Sequence, residues 1–134
     1  MNPLTRVVSI MTTDLVTVNP STPLAEAKEL LTRNSFHHLP VVDHDFRLRG
    51  ILSQSDFIKA HDTDHGTVKQ LMTSGMAKLE TEDTVRTAAS VFALNRFHAL
   101  PVVSEDDKLI GIVTTLDLIK FMDREVVELS DYNS

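Results

Sequence analysis

The chain contains no cysteine, no tryptophan, one tyrosine and four glycines among its 134 residues. Without cysteine there is no disulfide framework, no thiolate metal centre and no thiol nucleophile. No apolar run approaches the ~20 residues that a membrane span needs, and the first residues lack the charged and apolar regions of a signal peptide. The expectation is a cytoplasmic protein without a membrane partner. No Lys/Arg cluster stands out either. The net charge of −6 is spread as 6 basic and 8 acidic residues over 1–67, then 7 and 11 over 68–134, which argues against a nucleic-acid partner. An acidic balance still leaves room for a small anion held by backbone N–H groups and a few side chains. Catalytic signatures are missing as well: there is no Gly-x-Ser-x-Gly elbow, Walker loop or Gly-x-Gly-x-x-Gly, and no carboxylate is tied by a motif to a base or metal. No catalytic residue and no metal ligand is assigned, and the chain is not expected to be an enzyme.

What the chain does have is a repeat. Phe36-His37-His38-Leu39-Pro40-Val41-Val42 returns as Phe97-His98-Ala99-Leu100-Pro101-Val102-Val103, 61 residues later. Gly50-Ile51-Leu52-Ser53-Gln54-Ser55-Asp56 returns as Gly111-Ile112-Val113-Thr114-Thr115-Leu116-Asp117, and Met11-Thr12 as Met72-Thr73, at that same offset. An ungapped duplication of this length points to two copies of one supersecondary unit. A half of about 60 residues buries too little surface to be stable alone, so the two copies are expected to share a core.

Each copy reads as strand, helix, strand, strand, helix. In the first copy Leu15 to Val18 is a short strand, and Thr22 an N-cap followed by Pro23 at the first helical position, where its missing N–H costs nothing. Leu24, Ala27, Leu30 and Leu31 keep helical spacing. In the second copy Asp83 takes the capping place, and Val85, Ala88, Val91 and Phe92 repeat the apolar face. Two β-rich runs follow, Leu39 to Asp43 and Leu48 to Ser53, matched by Leu100 to Ser104 and Leu109 to Thr114. A closing helix starts near Ser55 and near Leu116, the second running on toward Leu129. The polar stretch His61 to Gly66 joins the copies.

The pattern Gly, two apolar residues, Ser/Thr, two residues, Asp is the central candidate for chemistry. Ser53 with Asp56, and Thr114 with Asp117, have the spacing of a capping box, in which hydroxyl and carboxylate satisfy first-turn N–H groups. The same geometry suits a nucleotide: helix N–H groups attract phosphate, a hydroxyl donates to it, and a carboxylate accepts from ribose. Gly50 and Gly111 permit close approach of a ligand or of another strand. His37 and His98 hold equivalent places beside these elements, either as structural residues or as ligand contacts, whereas His38 has no counterpart. Lys59 and Lys120 read as i,i+3 partners of the Asp on the same helix face. His61, Asp62, Asp64 and His65 match no tight metal motif and read as a solvated linker.

Met-Thr at the head, Leu-Pro-Val-Val in the middle and Gly-h-h-Ser/Thr-x-x-Asp (h apolar) at the end occur twice, in order and in register. With these signatures the chain resembles a tandem pair of CBS domains, the cystathionine β-synthase type or Bateman module, over roughly residues 7–122. The resemblance implies an α+β fold of two β-α-β-β-α repeats related by a pseudo-two-fold axis, with packed sheets and two ligand clefts. It implies repeat boundaries at 7–62 and 67–124, a linker at 63–66 and a helix end and tail at 125–134. One cleft would draw on Thr12, Val16, Phe36, His98, Ile112, Thr114, Leu116 and Asp117. The other would draw on Thr73, Ala77, Phe97, His37, Ile51, Ser53, Ser55 and Asp56. In the family the Asp binds ribose, the Ser/Thr approaches phosphate and the apolar residues enclose the base. The implied ligand is AMP, ADP or ATP, with no cofactor required. The implied role is a sensor that signals occupancy to an effector protein and pairs into a homodimer through its closing helices. Two alternatives stand beside this: an S-adenosylmethionine sensor, and a ligand-free scaffold in which the Ser/Thr-x-x-Asp pairs are only helix caps.

Overall fold

The structure is a computed structural model that describes residues 2–33 and 37–123. The chain divides into two compact units. Among the described residues, 15–33, 37–77 and 105–109 form the first, and 2–14, 78–104 and 110–123 the second.

In the first unit, helix α1 (Leu24–Arg33) precedes strands β1 (His38–Val42) and β2 (Leu48–Ser53) and the short helix α2 (Gln54–Lys59). Strands β1 and β2 are antiparallel, with His38 opposite Ser53 and Val41 opposite Gly50. Leu24, Ala27 and Leu31 carry the buried stripe of α1. Ala27 and Leu31 join Leu39, Val41, Leu52 and Val68 in one cluster, and Leu39 and Leu52 are wholly buried. The Leu-Pro-Val-Val run is buried on both of its faces, which is why it lacks the alternation of a half-exposed strand. At the far end of the hairpin the Asp43 carboxylate accepts N–H bonds from Asp45 and Arg47, at 2.9 and 3.0 Å. The Arg47 N–H bond leads the influences that lower the Asp43 pKa. Phe46 in this turn and Asp107 at the equivalent place in the other copy both take a left-handed backbone, with φ of 63° and 64°.

The second unit repeats the plan with strand β3 (Leu79–Glu80), helix α3 (Val85–Leu94), strand β4 (Ala99–Val103), strand β5 (Leu109–Thr114, in this unit from Ile110) and helical residues 115–123, here α4. Strand β4 lies between β3 and β5, and β3 runs parallel to it with Leu79 opposite Val102. Continuation of α4 toward Leu129, and the 125–134 tail, lie outside the described residues.

Two local expectations need correction. Leu15 to Val18 does not form a strand: only Val18 bridges β1, opposite Val41. Its N–H reaches the Pro40 carbonyl at 3.1 Å and its carbonyl accepts from Val42 at 2.8 Å. The next rung of that parallel ladder would need an N–H from residue 40 to the Val16 carbonyl, and proline has none. The helix caps are also shifted by one residue. Thr22 and Asp83 turn their side-chain oxygens back to the N–H groups of Asn19 and Glu80, at 3.0 and 2.7 Å. They close the preceding turns. The N-cap of α3 is Thr84, whose hydroxyl accepts from Thr87, and α1 begins one residue after Pro23, whose carbonyl accepts from Ala27.

The heads of the two copies are exchanged. Thr12 pairs with Ile112 by two backbone bonds of 2.8 and 2.9 Å in the second unit, and Thr73 with Ile51 by two of 2.9 and 3.0 Å in the first. Each pairing sits beside a glycine. A Cβ on Gly50 would lie 2.8 Å from the Thr73 carbonyl oxygen, and one on Gly111 3.1 Å from that of Thr12, with the Met72 and Met11 side chains closer still or equally close. Gly111→Ala and Gly50→Ala are each expected to destabilise the protein by ~1–3 kcal/mol through overpacking. Denaturant midpoints check this; an unchanged midpoint for both would mean that the pairing is not under this steric constraint.

Candidate functional site

The candidate residues gather where a hairpin strand ends and the closing helix begins. In the second unit the His98 carbonyl accepts the Thr115 N–H at 3.0 Å, and in the first the His37 carbonyl accepts that of Gln54 at 3.3 Å. Each histidine is thereby held by its backbone beside the Ser/Thr-x-x-Asp turn, with an exposed side chain. Capping boxes are formed at Ser53 with Asp56 and at Thr114 with Asp117; in the second unit Asp117 Oδ2 accepts the Thr114 N–H at 2.9 Å, and Thr114 Oγ1 accepts the Asp117 N–H at 3.1 Å. In the first unit Asp56 Oδ2 accepts the Ser53 N–H at 2.8 Å and the Ser53 hydroxyl at 3.0 Å. The Ser53 hydroxyl also lies 2.9 Å from that of Ser55.

Head exchange then brings a threonine of the other copy to each site. Thr12 stands beside Ile112 on β5, and its hydroxyl donates to the Asp117 carboxylate, 3.2 Å from Oδ1 and 3.3 Å from Oδ2. Thr73 takes the matching place beside Ile51. The second unit therefore contains Thr12, His98, Ile112, Thr114, Leu116 and Asp117, and the first contains Thr73, Ala77, His37, Ile51, Ser53, Ser55 and Asp56. Val16 belongs to the first unit, where it packs on the core cluster. Phe97 belongs to the second and is 40% exposed. Phe36 lies outside the described residues.

The capping reading and the ligand reading are compatible in physical terms. A carboxylate has about four acceptor positions, and the box occupies one of them at Asp117. The Thr114 hydroxyl accepts through a lone pair and keeps its proton to donate. Of the first three N–H groups of α4, those of Thr115 and Asp117 are taken by His98 and Thr114. No charged side chain is buried among the described residues, so an anion here would meet water-exposed donors and half-buried walls.

A hollow that the motifs did not signal lies in the first unit at the opposite end of the β1–β2 hairpin. It encloses about 670 Å³ and is lined by Thr17, Asn19, Glu26, Asp43, His44 and Phe46 among others. Its residue types do not repeat in the second copy, so no internal comparison could have exposed it. In the linker stretch His65 Nδ1 and Asp62 Oδ2 lie at hydrogen-bond distance, 3.1 Å. Among the described residues no group of three or more His, Asp or Glu could hold a metal ion, and no helix is long and apolar enough to cross a membrane.

The family model for the CBS domain matches residues 7–62 and again 68–124. The chain belongs to the CBS domain family. Among curated relatives, inosine-5'-monophosphate dehydrogenase of Methanocaldococcus jannaschii is 33% identical over 107 residues, which are 80% of this chain and 21% of that enzyme. The chain thus spans about a fifth of that relative's length. An uncharacterised 17.7 kDa protein of Acidianus ambivalens is 35% identical over 87% of this chain and 72% of its own length. Among solved structures, CBSX2 in complex with AMP is 29% identical at a TM-score of 0.81, over 90% of this chain and 97% of that one; CBSX2 is from Arabidopsis thaliana. The CBS domain pair of protein MJ0100, in complex with 5'-methylthioadenosine and S-adenosyl-L-methionine, is 26% identical at a TM-score of 0.82, over 92% and 99%. The cytosolic domain of the Mg2+ channel MgtE in complex with ATP is 29% identical at a TM-score of 0.78, over 87% of this chain and 48% of that one.

The Thr114 hydroxyl has a structural duty in this CBS pair before any ligand arrives. Thr114→Val is expected to lower the stability of the ligand-free protein by ~0.5–2 kcal/mol, the usual cost of losing an N-cap. Thermal unfolding without ligand reads this directly. An unaltered melting temperature would mean that the hydroxyl serves only a ligand.

Proposed function

We infer that this CBS pair is a regulatory module that binds an adenine nucleotide of the AMP, ADP or ATP class and signals its occupancy to a partner protein. It is a sensor and not an enzyme. The observation that carries this reading is the convergence, in each unit, of a head threonine, a histidine, a Ser/Thr and an Asp at one strand-to-helix junction. The support from outside the chain is that two structures of the same fold, CBSX2 and the cytosolic domain of MgtE, are seen with AMP and with ATP.

The roles follow from the chemistry of each group. Asp117 and Asp56 accept from ribose hydroxyls, Thr114 donates to a phosphate oxygen, and Ile112 and Ile51 give the base an apolar wall. His98 and His37 flank the phosphate. S-adenosylmethionine is the second reading, favoured by the pair that binds it; it shares the adenosine half but has no phosphate. A ligand-free scaffold is the third, favoured by the capping bonds of the same side chains. Calorimetric titration with AMP, ATP and S-adenosylmethionine separates the three, and silence with all of them supports the scaffold.

Asp117→Ala is expected to weaken AMP binding by ~1.5–3 kcal/mol, the range for hydrogen bonds to a charged group. A 2'-deoxy analogue should bind less well than AMP to the wild type, with little further loss on the variant. Equal penalties for the analogue on both proteins would remove Asp117 from the ribose.

The closing helices supply the surface for self-association. Ile58 is 83% exposed on α2, and Leu116, Ile119 and Met122 are 54%, 60% and 52% exposed on α4. Isolated apolar side chains are ordinary on a surface, but a row of them on a short helix is costly to leave in water. A homodimer through these helices is expected at micromolar concentration, C2 pairing being the commonest arrangement. Light scattering checks it, and a monomer of 15.0 kDa at such concentrations would exclude it.

A further inference from the structure

The two sites repeat in sequence but not in hydrogen bonding. In the second unit both oxygens of Asp117 face the Thr12 hydroxyl, at 3.2 and 3.3 Å, and Oδ2 also takes the Thr114 N–H. In the first unit both bonds to Asp56 fall on Oδ2, from the Ser53 N–H and the Ser53 hydroxyl. Oδ1 of Asp56 has no hydrogen bond among the described residues. One carboxylate is thus latched by a threonine from the other copy, and its twin presents an open oxygen.

We propose that the Thr12 hydroxyl is an internal competitor for the ribose position at Asp117, so that the two sites differ in affinity and the Asp56 site fills first. A ribose diol that binds across both oxygens of Asp117 has to take the place of the Thr12 hydroxyl, which stands 3.2 and 3.3 Å from them, so it gains one bond fewer than it would at an open carboxylate. At Asp56 the ribose adds a bond without displacing one. The competitor is held in place by the backbone, because the Thr12 N–H and carbonyl are both bonded to Ile112. Its side chain therefore stays close to the carboxylate after the bond is broken. The proposal rests on the nucleotide reading above. It departs from the simplest form of that reading, in which Thr12 is a ligand contact and its loss weakens binding.

The test removes the hydroxyl and keeps the shape. AMP is titrated calorimetrically into Asp56→Asn, where the Asp117 site reports, and into the same protein with Thr12→Val added. The added substitution should tighten AMP binding by about threefold to tenfold, the equivalent of one ordinary hydrogen bond. It should not tighten binding of 2',3'-dideoxy-AMP, which has no ribose hydroxyl to take the vacated place. If Asp56→Asn does not fold, the weaker of the two sites resolved in the wild-type titration serves the same purpose. Unchanged or weaker AMP binding, or an equal gain for the dideoxy analogue, overturns the role of Thr12 while leaving the nucleotide reading intact. Failure of the wild type to bind AMP or adenosine at all overturns both.

Discussion

The close contact between the Met-Thr head of one copy and the glycine strand of the other is the constraint on which the rest of this protein depends. Two backbone bonds join Thr12 to Ile112 and two join Thr73 to Ile51, and neither pair could approach so closely over a Cβ. The consequence reaches beyond stability. Because the head comes from the other copy, neither unit is complete with its own repeat alone, and each unit holds a head threonine of the other copy beside its polar site. Glycine, methionine and threonine are thus one device, although they lie far apart along the chain.

The same device surrounds the first helix of each copy. The N–H groups of Val85 and Arg86, at the start of α3, are accepted by the carbonyls of Thr5 and Pro3, and that of Leu24, at the start of α1, by Gly66. Helix starts leave backbone donors without intrahelical partners, and here the exchanged segment supplies the acceptors. Association of the copies and satisfaction of their helices are accomplished by one stretch of backbone. The closing helices α2 and α4 start at the candidate sites, α4 bonded to the head through Thr12 and Asp117, and carry exposed apolar residues on their surfaces.

Side chains that cap a helix and side chains that receive a ligand are not competing explanations in this fold. Thr114 and Asp117 satisfy each other's backbone and keep a proton and several lone pairs in reserve. The junction's backbone groups are thus bonded by its own side chains. The capping spacing alone could not separate the two readings, because each needs the same atoms at the same distance.

Much of the fold was legible in the repeat itself. The internal register marked Gly50 with Gly111, Ser53 with Thr114 and Asp56 with Asp117, and strand β2 and the helix stripes lie where periodicity puts them. Short elements were not legible: the 3-10 turns Val7–Ser9 and Val68–Gln70 are too brief to show a period. Nor was the loss of the first strand, since Val16 has the residue type of a strand and fails only because its would-be partner, Pro40, lacks an N–H. By itself the sequence determined the family, the duplication and the residue types at each site, since these depend on local pattern and on comparison of one half with the other. Only the tertiary structure decided which Met-Thr meets which glycine, and that Thr12 latches Asp117 whereas Asp56 keeps an open oxygen. Hydrogen bonds of that kind depend on tenths of an ångström between segments distant in the chain, and no repeat in the sequence encodes a difference between its own copies at that scale.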